Sequence, residues 1–227
     1  ANVFAKVFQT LDQNMLIKFF YKDGDFIKKG NIIAELSGSA RCLLNGERVA
    51  LNYIQRMSGV ATETRKYVEK IKNYPAHIAD TRKTTPNFRI FEKYAVKIGG
   101  ATLHRFNLSD CVMIKDNHIK FAGSITKAVS ILRENISHTH KIEVECDTFE
   151  QVKEALECKA DIIMFDNMNP SDMRGACNYI NGRAIIEASG NVTLDTLQDI
   201  AASGVDIIST SAIVAKAKTL DLGLDIE

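Results

Sequence analysis

The chain has 227 residues, of which 45% are hydrophobic and 25% are charged, so it can bury a sizeable core and disorder is not expected. The formal net charge is +1, and the sequence has no Lys/Arg-rich block, which argues against a surface that binds nucleic acid. No apolar run approaches the roughly 20 residues that span a membrane, and the scattered cysteines are typical of reduced thiols in a cytoplasmic protein.

Residues 1–40 predict a small sheet rather than a repeated strand–helix pattern. Their β-forming side chains cluster in three stretches, at residues 3–8, 15–21 and 31–36. Two turn signals, Asp23-Gly24-Asp25 and Lys29-Gly30-Asn31, separate the last two stretches. The segment is also similar to the hairpin of carrier and hammerhead modules, but it lacks their modified lysine, so we interpret it as scaffold.

Apolar residues recur at helical spacing over residues 43–72. Ser58-Gly59 interrupts the pattern, which predicts either one kinked helix or two helices. We expect this helical segment to bridge the small sheet and the rest of the chain, so a first domain is placed at residues 1–72.

Short apolar runs alternate with helix-like stretches over residues 73–227, and the runs lie at residues 77–80, 111–114, 141–144, 161–165, 184–188 and 205–209. Continuous Val/Ile runs are typical of parallel strands that are buried on both faces. The predicted helices include residues 194–202 and a last helix with a short tail at 214–227. Repeated strand–helix units predict an α/β barrel, whose active site lies where the carboxyl ends of the strands share one rim.

Most of the cationic side chains that could carry chemistry follow these predicted strands: Arg48, Arg82, Lys83, His104, Arg105 and Lys115. A single Lys or Arg is usually a solvated surface charge. Two adjacent pairs, Arg82-Lys83 and His104-Arg105, are harder to explain in that way. Such clusters suit a ligand with several negative charges, because Arg binds carboxylate or phosphate through two hydrogen bonds and Lys acts as a movable charge.

Carboxylates and hydroxyl groups follow other strands. Glu145 and Asp166 could bind ribose hydroxyls or Mg²⁺, or could form internal ion pairs with one of the lysines. Glu143 lies on the same side of its strand as Glu145, so both could point inward. Ser189-Gly190-Asn191 and Thr210-Ser211-Ala212 follow the last two strands, where many barrels bind phosphate.

Nine stretches of the chain, taken in order, resemble the motifs of one enzyme family, and they lie at residues 46–52, 58–62, 80–86, 92–94, 104–106, 112–118, 142–145, 165–167 and 187–190. On these motifs the chain resembles the quinolinate phosphoribosyltransferases, also called nicotinate-nucleotide pyrophosphorylases (carboxylating), over nearly its whole length. The resemblance implies an N-terminal α/β sandwich with bridging helices at residues 1–72 and an incomplete α/β barrel of parallel strands at residues 73–227.

The resemblance also implies an activity. These enzymes convert quinolinate and phosphoribosyl pyrophosphate, with Mg²⁺, to nicotinate mononucleotide, pyrophosphate and CO₂ in de novo NAD synthesis. They are homodimers, in some members hexamers of dimers, and the N-terminal region of one subunit completes the active site of the other. A cytoplasmic location is expected.

Roles are carried over by motif. The residues expected to bind quinolinate, with Arg48 reaching into the pocket of the partner subunit, are Arg48, Arg82, His104, Arg105 and Lys115. Those expected to bind phosphoribosyl pyrophosphate are Thr81, Lys83, Glu145, Asp166, Ser189, Gly190, Asn191, Thr210 and Ser211. Catalysis is assigned to Lys83, Glu145 and Asp166, and Glu145 and Asp166 are expected to hold Mg²⁺ directly or through water.

Two features depart from the family's pattern. Members carry further residues before the point where this chain begins, so we expect either a fragment or a sequence without some flexible segments. Many members have Gly and then His where this chain has Ser211 and Ala215, which leaves the phosphate contacts there undetermined.

Three other functions remain open from the sequence. Nicotinate phosphoribosyltransferase shares the architecture but takes a monocarboxylate, and the set Arg48, Arg82, Arg105 and Lys115 favours a dicarboxylate. A Schiff-base aldolase would use Lys115 or Lys83. A phosphosugar-binding relative without catalysis is the third, and the presence of Glu145 and Asp166 argues against it.

Overall fold

The N-terminal segment contains one helix and a two-stranded antiparallel sheet. The structure, a computed structural model, describes residues 1–225. Helix α1 (Asn2–Leu11) precedes strands β1 (Leu16–Phe19) and β2 (Ala34–Ser37), which pair along their whole length. The small sheet predicted for this segment is confirmed.

Helix α2 (Ala40–Lys70) is one continuous helix of 31 residues. Ser58-Gly59 does not interrupt this helix. Gly59 instead leaves the space in which the chain end packs against α2. A Cβ atom at Gly59 would lie 2.0 Å from the carbonyl oxygen of Lys218. The first half of α2 contributes Cys42 and Leu51 to a small N-terminal core, and its second half contributes Val60 and Tyr67 to the main core.

Helix α1 shows that the prediction of β-structure at residues 3–8 is wrong. Phe4 and Phe8 are four residues apart, and both are buried in the N-terminal core. This spacing places them on one face of a helix, whereas alternate positions would share a face in a strand. A Cβ atom at Gly46 of α2 would lie 2.8 Å from the Phe8 ring, so the glycine lets α1 approach α2 closely.

The remaining elements alternate between strands and helices, as predicted. The strands are β3 (His77–Ala79), β4 (Val112–Ile114), β5 (Ile142–Cys146), β6 (Ile162–Asp166), β7 (Ile185–Ser189) and β8 (Ile207–Ser209). The helices are α3 (Arg89–Ile98), α4 (Asp116–Ala122), α5 (Ile125–Asn135), α6 (Phe149–Glu157), α7 (Pro170–Ile180), α8 (Leu197–Ala201) and α9 (Ala212–Ala215).

These six strands form one parallel sheet in the order β3-β8-β7-β6-β5-β4. Within residues 1–225 the edge strands β3 and β4 do not pair with each other, so the barrel is incomplete. Helices α5 to α8 cover the outer face, and the side chains between the two layers form the main core. The predicted fold class, an N-terminal α/β unit plus an incomplete barrel of parallel strands, is confirmed.

The chain end differs from the prediction of a last helix at 214–227. Helix α9 is shorter and earlier, and residues 216–225 form neither helix nor strand, while residues 226–227 lie outside the described part. The reason is that this segment bonds to α2 instead of to itself. The backbone N–H of Leu220 donates to the carbonyl of Gln55, and the Gln55 side chain donates to the carbonyl of Leu222.

The predicted helix at 194–202 is also shorter, because α8 begins only at Leu197. The predicted capping by Thr193 is not found: its hydroxyl accepts from the Thr196 N–H at 3.3 Å in the preceding turn, and Thr196, the N-cap of α8, forms no side-chain cap hydrogen bond. Among the helices of residues 1–225, none has the length and hydrophobicity that crossing a membrane requires.

Candidate active site

One face of the parallel sheet carries most of the chemistry predicted at the strand ends. Residues paired across neighbouring parallel strands share a face, and every second residue along a strand shares it too. Glu145 pairs with Met164 and Met164 with Glu187, while Asp166 pairs with Ser189. Lys115, one step past β4, has the parity of Met113, which pairs with Glu143. This face is called the inner face below.

The His104 side chain shows that the sheet curves around the inner face. Its Nε2 lies 3.5 Å from Glu143 on β5 and 3.4 Å from Glu187 on β7. Strand β6 separates these two strands, so in a flat sheet their side chains would stand about 9–10 Å apart, which is twice the spacing of neighbouring strands. A sheet that curves around the inner face brings both carboxylates within reach of one imidazole ring.

The two carboxylates raise the pKa of His104, whereas its Nδ1 accepts a hydrogen bond from the Arg105 N–H at 2.8 Å, as only a ring unprotonated at that nitrogen can do. Burial disfavours the charged ring, but contacts with Glu143 and Glu187 outweigh it and raise the pKa of His104 to about 10. The ring, Glu143 and Glu187 therefore form one cluster of interacting titratable groups on the floor of the barrel.

The floor also holds polar atoms without partners. Glu143 Oε1 and the Ser209 hydroxyl form no hydrogen bond within the described residues, and Glu143 Oε2 and Glu187 Oε1 have only the long contacts of 3.5 and 3.4 Å with His104. Glu143 is completely buried, and burial raises its pKa even though His104 lowers it. Because buried polar groups are nearly always bonded in native proteins, the floor has unused capacity to bind polar groups of a ligand or water.

Glu143 and Glu187 are the functional residues that sequence reasoning left without a role. The alternation of side chains along a strand predicts that Glu143 points inward with Glu145. The motif at residues 187–190 yields site candidates only at Ser189 and Gly190, so Glu187 has no predicted role. A buried Val/Ile run that is interrupted by one carboxylate is the signal that both share, since a carboxylate between two buried layers needs a partner.

Arg105 and Lys115 flank the floor on the β4 side. The Arg105 guanidinium donates to the Cys111 carbonyl at 3.0 Å and contacts the Met113 sulfur, so it lies along the edge of β4. The Lys115 ammonium forms an ion pair with Glu145. Of the two roles that the sequence left open for Glu145, an internal ion pair is observed, and Lys115 remains 43% exposed at the rim.

Asp166 and the loop after β7 are linked by amides at the rim. The Asn167 side chain donates to Asp166 at 2.9 Å and accepts from the Asn191 side chain at 2.9 Å. Gly190 has a φ of +85°, and a Cβ atom there would lie 2.3 Å from the Asn167 side chain. The ends of β6 and β7 therefore form one close-packed unit, in which Ser189 is partly exposed.

The loops after β3 and β8 lie side by side because these strands are neighbours. The Thr210 N–H donates to the Ala79 carbonyl at 3.0 Å, and the Thr210 hydroxyl caps the Ala212 N–H at 3.1 Å. The Thr81 hydroxyl accepts from the Lys83 N–H at 3.1 Å. The side chains of Arg82 and Lys83 are exposed at the rim, and Ser211 is partly exposed.

Another buried carboxylate fixes the far end of the loop after β3. Glu92 on α3 is completely buried and accepts from the Thr85 N–H and hydroxyl at 2.9 and 2.8 Å. Its charge is balanced by Arg56 of α2 at 2.7 Å. Lys83 therefore lies between Thr81 and Thr85, and both residues form hydrogen bonds that fix the loop.

Arg48 is the predicted site residue that one chain does not bring to the rim. It is exposed on α2, between Gly46, which faces α1, and Arg56, which contacts α3. Within residues 1–225 it forms no hydrogen bond or ion pair with any other predicted site residue.

Thiol chemistry has little support in this site. Burial raises the pKa of Cys111 to about 11 and that of Cys146 to about 12. Neither is a thiolate near neutral pH, and the thiolate is the reactive form of cysteine.

The geometry defines an α/β-barrel protein whose rim combines cations, carboxylates and hydroxyl groups around a charged floor, which suits a ligand that carries several negative charges. Two family descriptions match the sequence. "Quinolinate phosphoribosyl transferase, C-terminal domain" matches residues 60–225, and the N-terminal domain of the same family matches residues 1–58. The chain belongs to the quinolinate phosphoribosyl transferase family.

Individual relatives support the same family assignment. The chain is 48% identical over 225 residues to a probable nicotinate-nucleotide pyrophosphorylase [carboxylating] of Synechocystis, covering 98% of this chain and 76% of the relative. It is 45% identical to the Bacillus subtilis protein of the same name, covering 100% of this chain and 78% of the relative. A crystal structure of the Ehrlichia chaffeensis nicotinate-nucleotide pyrophosphorylase has a TM-score of 0.95 at 40% identity, covering 100% of this chain and 82% of that one.

Proposed function

We propose that this protein transfers the phosphoribosyl group of phosphoribosyl pyrophosphate to quinolinate with loss of one carboxylate, giving nicotinate mononucleotide, pyrophosphate and CO₂ in de novo NAD synthesis. The family match and the names of the relatives support this activity. The observation in the structure that supports it most is the grouping of His104, Arg105 and Lys115 on the inner face, where Arg105 has no carboxylate partner within the described residues and can bind a carboxylate of the substrate.

Quinolinate carries two adjacent carboxylates, which repel each other and lose hydration in a closed pocket. Several cations are needed to offset that cost. His104, Arg105 and Lys115 would contribute from the barrel, Arg82 from the loop after β3, and Arg48 from the partner subunit. The exposed position of Arg48 on α2 supports this last assignment, because the residue is free to reach a second chain.

Phosphoribosyl pyrophosphate would bind along the rim on the other side. Its 5-phosphate fits the hydroxyls and backbone N–H groups of the loops after β7 and β8, namely those at Ser189, Gly190, Asn191, Thr210 and Ser211. Lys83 and Thr81, next to Thr210 across neighbouring strands, would bind the pyrophosphate. Asp166 and Glu145 would lie near the ribose.

The residues of the chain would supply orientation and electrostatics more than covalent chemistry. As pyrophosphate leaves, the ribose carbon becomes oxocarbenium-like, and a carboxylate such as Asp166 or Glu145 stabilises that charge. Lys83 stabilises the leaving group, and the floor cations hold the pyridine ring in line with the ribose carbon. After transfer, the positively charged ring nitrogen stabilises the carbanion that loss of CO₂ leaves at the adjacent ring carbon, and this carbon then takes up a proton from water.

Mg²⁺ is part of the proposal, and the residues present fit it. Asp166 and Glu145 lie on the inner face at the carboxyl ends of neighbouring strands, and both are partly exposed. Mg²⁺ prefers one or two carboxylates plus substrate phosphates and water. When bound, it would neutralise charge on the leaving pyrophosphate. Because Glu145 is paired with Lys115, Asp166 is the freer of the two ligands.

A homodimer with shared active sites is also proposed, on the position of Arg48. A cytoplasmic location stays a prediction, consistent with five free cysteines in the described residues.

The test is formation of nicotinate mononucleotide from quinolinate, phosphoribosyl pyrophosphate and Mg²⁺, followed by absorbance, with nicotinate assayed in parallel. We expect turnover of quinolinate alone, and we expect chelation of Mg²⁺ to abolish it reversibly. Turnover of nicotinate alone would contradict the proposal, and so would activity with neither acid.

A further inference from the structure

A buried ion pair holds the backbone of His104 at both of its polar groups. Lys93 of α3 and Asp80, which directly follows β3, have side chains that are 2% and 0% exposed. The Lys93 ammonium lies 2.8 and 2.7 Å from the two oxygens of Asp80. Asp80 also accepts from the His104 N–H at 2.8 Å, and Lys93 also donates to the His104 carbonyl at 2.9 Å.

Stability alone gives little reason for charges at this position. Removing two charges from water costs about as much as their attraction returns, so packed apolar side chains of similar volume often serve a fold equally well. The cost of removing charge from water is evident at Asp80: burial raises the pKa of this carboxyl, although Lys93 and His104 act to lower it. The two hydrogen bonds to His104 are what an apolar pair could not provide.

The pair also joins the two loops that carry most of the cations on one side of the site. Asp80 is followed directly by Thr81, Arg82 and Lys83, and His104 is followed by Arg105. A short parallel bridge between Ala79 and Thr102 brings the segments together, and the Asp80 carboxylate extends that contact as far as His104.

We infer that Asp80 and Lys93 are a positioning pair for quinolinate, which fixes the main chain of His104 so that its ring and the neighbouring Arg105 face the substrate carboxylates. The inference rests on the proposed function. Neither residue touches the substrate, because the Asp80 and Lys93 side chains are buried beneath the loop. Their effect on the reaction passes through His104.

The test uses the double variant Asp80→Asn/Lys93→Met in the full-length chain. Both side chains keep their approximate volumes and no unpaired charge is left buried, so the variant is expected to fold. Lys93→Met alone would instead leave the buried Asp80 carboxylate without a counter-charge. The matched control is Arg133→Met. It breaks the Arg133–Asp161 ion pair of 2.8 Å, in which Asp161 precedes β6, at the opposite end of the sheet.

We expect the double variant to raise the KM for quinolinate about 10- to 100-fold, which corresponds to losing one hydrogen bond to a charged group. The KM for phosphoribosyl pyrophosphate should change less than about threefold, since the loops after β7 and β8 keep their own contacts and the Thr85–Glu92 hydrogen bonds still anchor the loop that carries Thr81 and Lys83. The amide hydrogen of His104 should exchange faster with solvent. Arg133→Met should leave both KM values and the His104 amide unchanged.

Two results would overturn the inference. One is an unchanged KM for quinolinate, and the other is an equal rise of both KM values, which a purely structural role would produce. A wild-type enzyme that turns over no quinolinate would contradict the proposed function itself, whereas an active wild type with an unaffected double variant would contradict the positioning pair alone.

Discussion

The charge state of one residue, His104, sets the electrostatics of the barrel floor. Its pKa of about 10 arises from two carboxylates that belong to strands with a third strand between them. No neighbour in the sequence supplies that charge. The pKa of this residue is therefore set by the curvature of the sheet and differs from that of an ordinary histidine.

The double variant Glu143→Gln/Glu187→Gln should lower the pKa of His104 toward its ordinary value of 6.5 or below, because burial then acts without opposition. NMR titration of the imidazole measures it. Glu150→Gln, on the exposed side of α6, is the matched control. An unchanged pKa in the double variant would show that the two carboxylates do not cause the shift.

The same shift predicts a pH dependence of stability. Folding raises the pKa of His104, so the folded state binds the proton more tightly than the unfolded state. This contribution to the free energy of unfolding is complete below pH 6.5 and is lost as the pH rises through about 10. Urea unfolding of the wild type and of the double variant between pH 6 and pH 10 should therefore converge at the alkaline end.

At the scale of elements, glycines determine how closely the segments approach one another. Gly46 allows α1 to pack closely on α2, and Gly59 allows the chain end to do the same. Gly190 allows the loop after β7 to pack against Asn167. In each case the contact joins elements that are distant in the sequence, and a Cβ atom would collide with a neighbour. The first two contacts hold the architecture, while the third shapes the rim.

Gly190→Ala should raise the KM for phosphoribosyl pyrophosphate and lower the melting temperature, because the new Cβ atom meets Asn167 and the backbone has a φ of +85°. Gly182→Ala is the matched control, since its φ of +72° imposes similar strain with nothing within 4 Å. The control should lower the melting temperature and leave the KM unchanged. Equal KM values for the two variants would contradict a role of the loop contact in binding.

Gly59→Ala should destabilise the fold by about 1–3 kcal/mol, the usual cost of forcing an extra methyl group into a packed site. Its Cβ atom would otherwise lie 2.0 Å from the Lys218 carbonyl. Gly175→Ala on α7 has open space and should stabilise by about 0.5–1 kcal/mol, because alanine favours a helix. Denaturant unfolding measures both, and a Gly59 variant as stable as the wild type would show that the chain end can lie elsewhere.

At the scale of the whole molecule, a single chain leaves Arg48 away from the rim that the other predicted cations share. A second chain that supplies it would make the active site a property of the dimer. Such a dimer must be symmetric, so each subunit gives one Arg48 and receives one.

Mixing two inactive variants tests this arrangement. Arg48→Ala and Lys115→Ala should each lose most activity with quinolinate. After subunit exchange, half of the dimers are mixed and each holds one intact site, so about one quarter of the wild-type activity should return. The control is a mixture of Arg105→Ala and Lys115→Ala, which share one barrel and should not complement. Equal recovery in both mixtures, or in neither, would contradict the shared site.

The sequence by itself determined the repeat of strands and helices, the small N-terminal sheet, and the candidate residues at the strand ends, because buried Val/Ile runs and turn signals are local patterns. It failed at residues 3–8 and 216–225, where α1 and the described part of the chain end are fixed by contacts with α2. Local propensity cannot report such contacts, since the partner lies elsewhere in the chain.

Only the tertiary structure decided which charges meet. It joined His104 to Glu143 and Glu187, Asp80 to Lys93, and Lys115 to Glu145, all across gaps of more than ten residues. The physical reason is that ion pairs and pKa shifts depend on distance and burial, and both are set by the curvature of the sheet. The sequence supplied the charged groups, and the curvature of the parallel sheet gave them their partners.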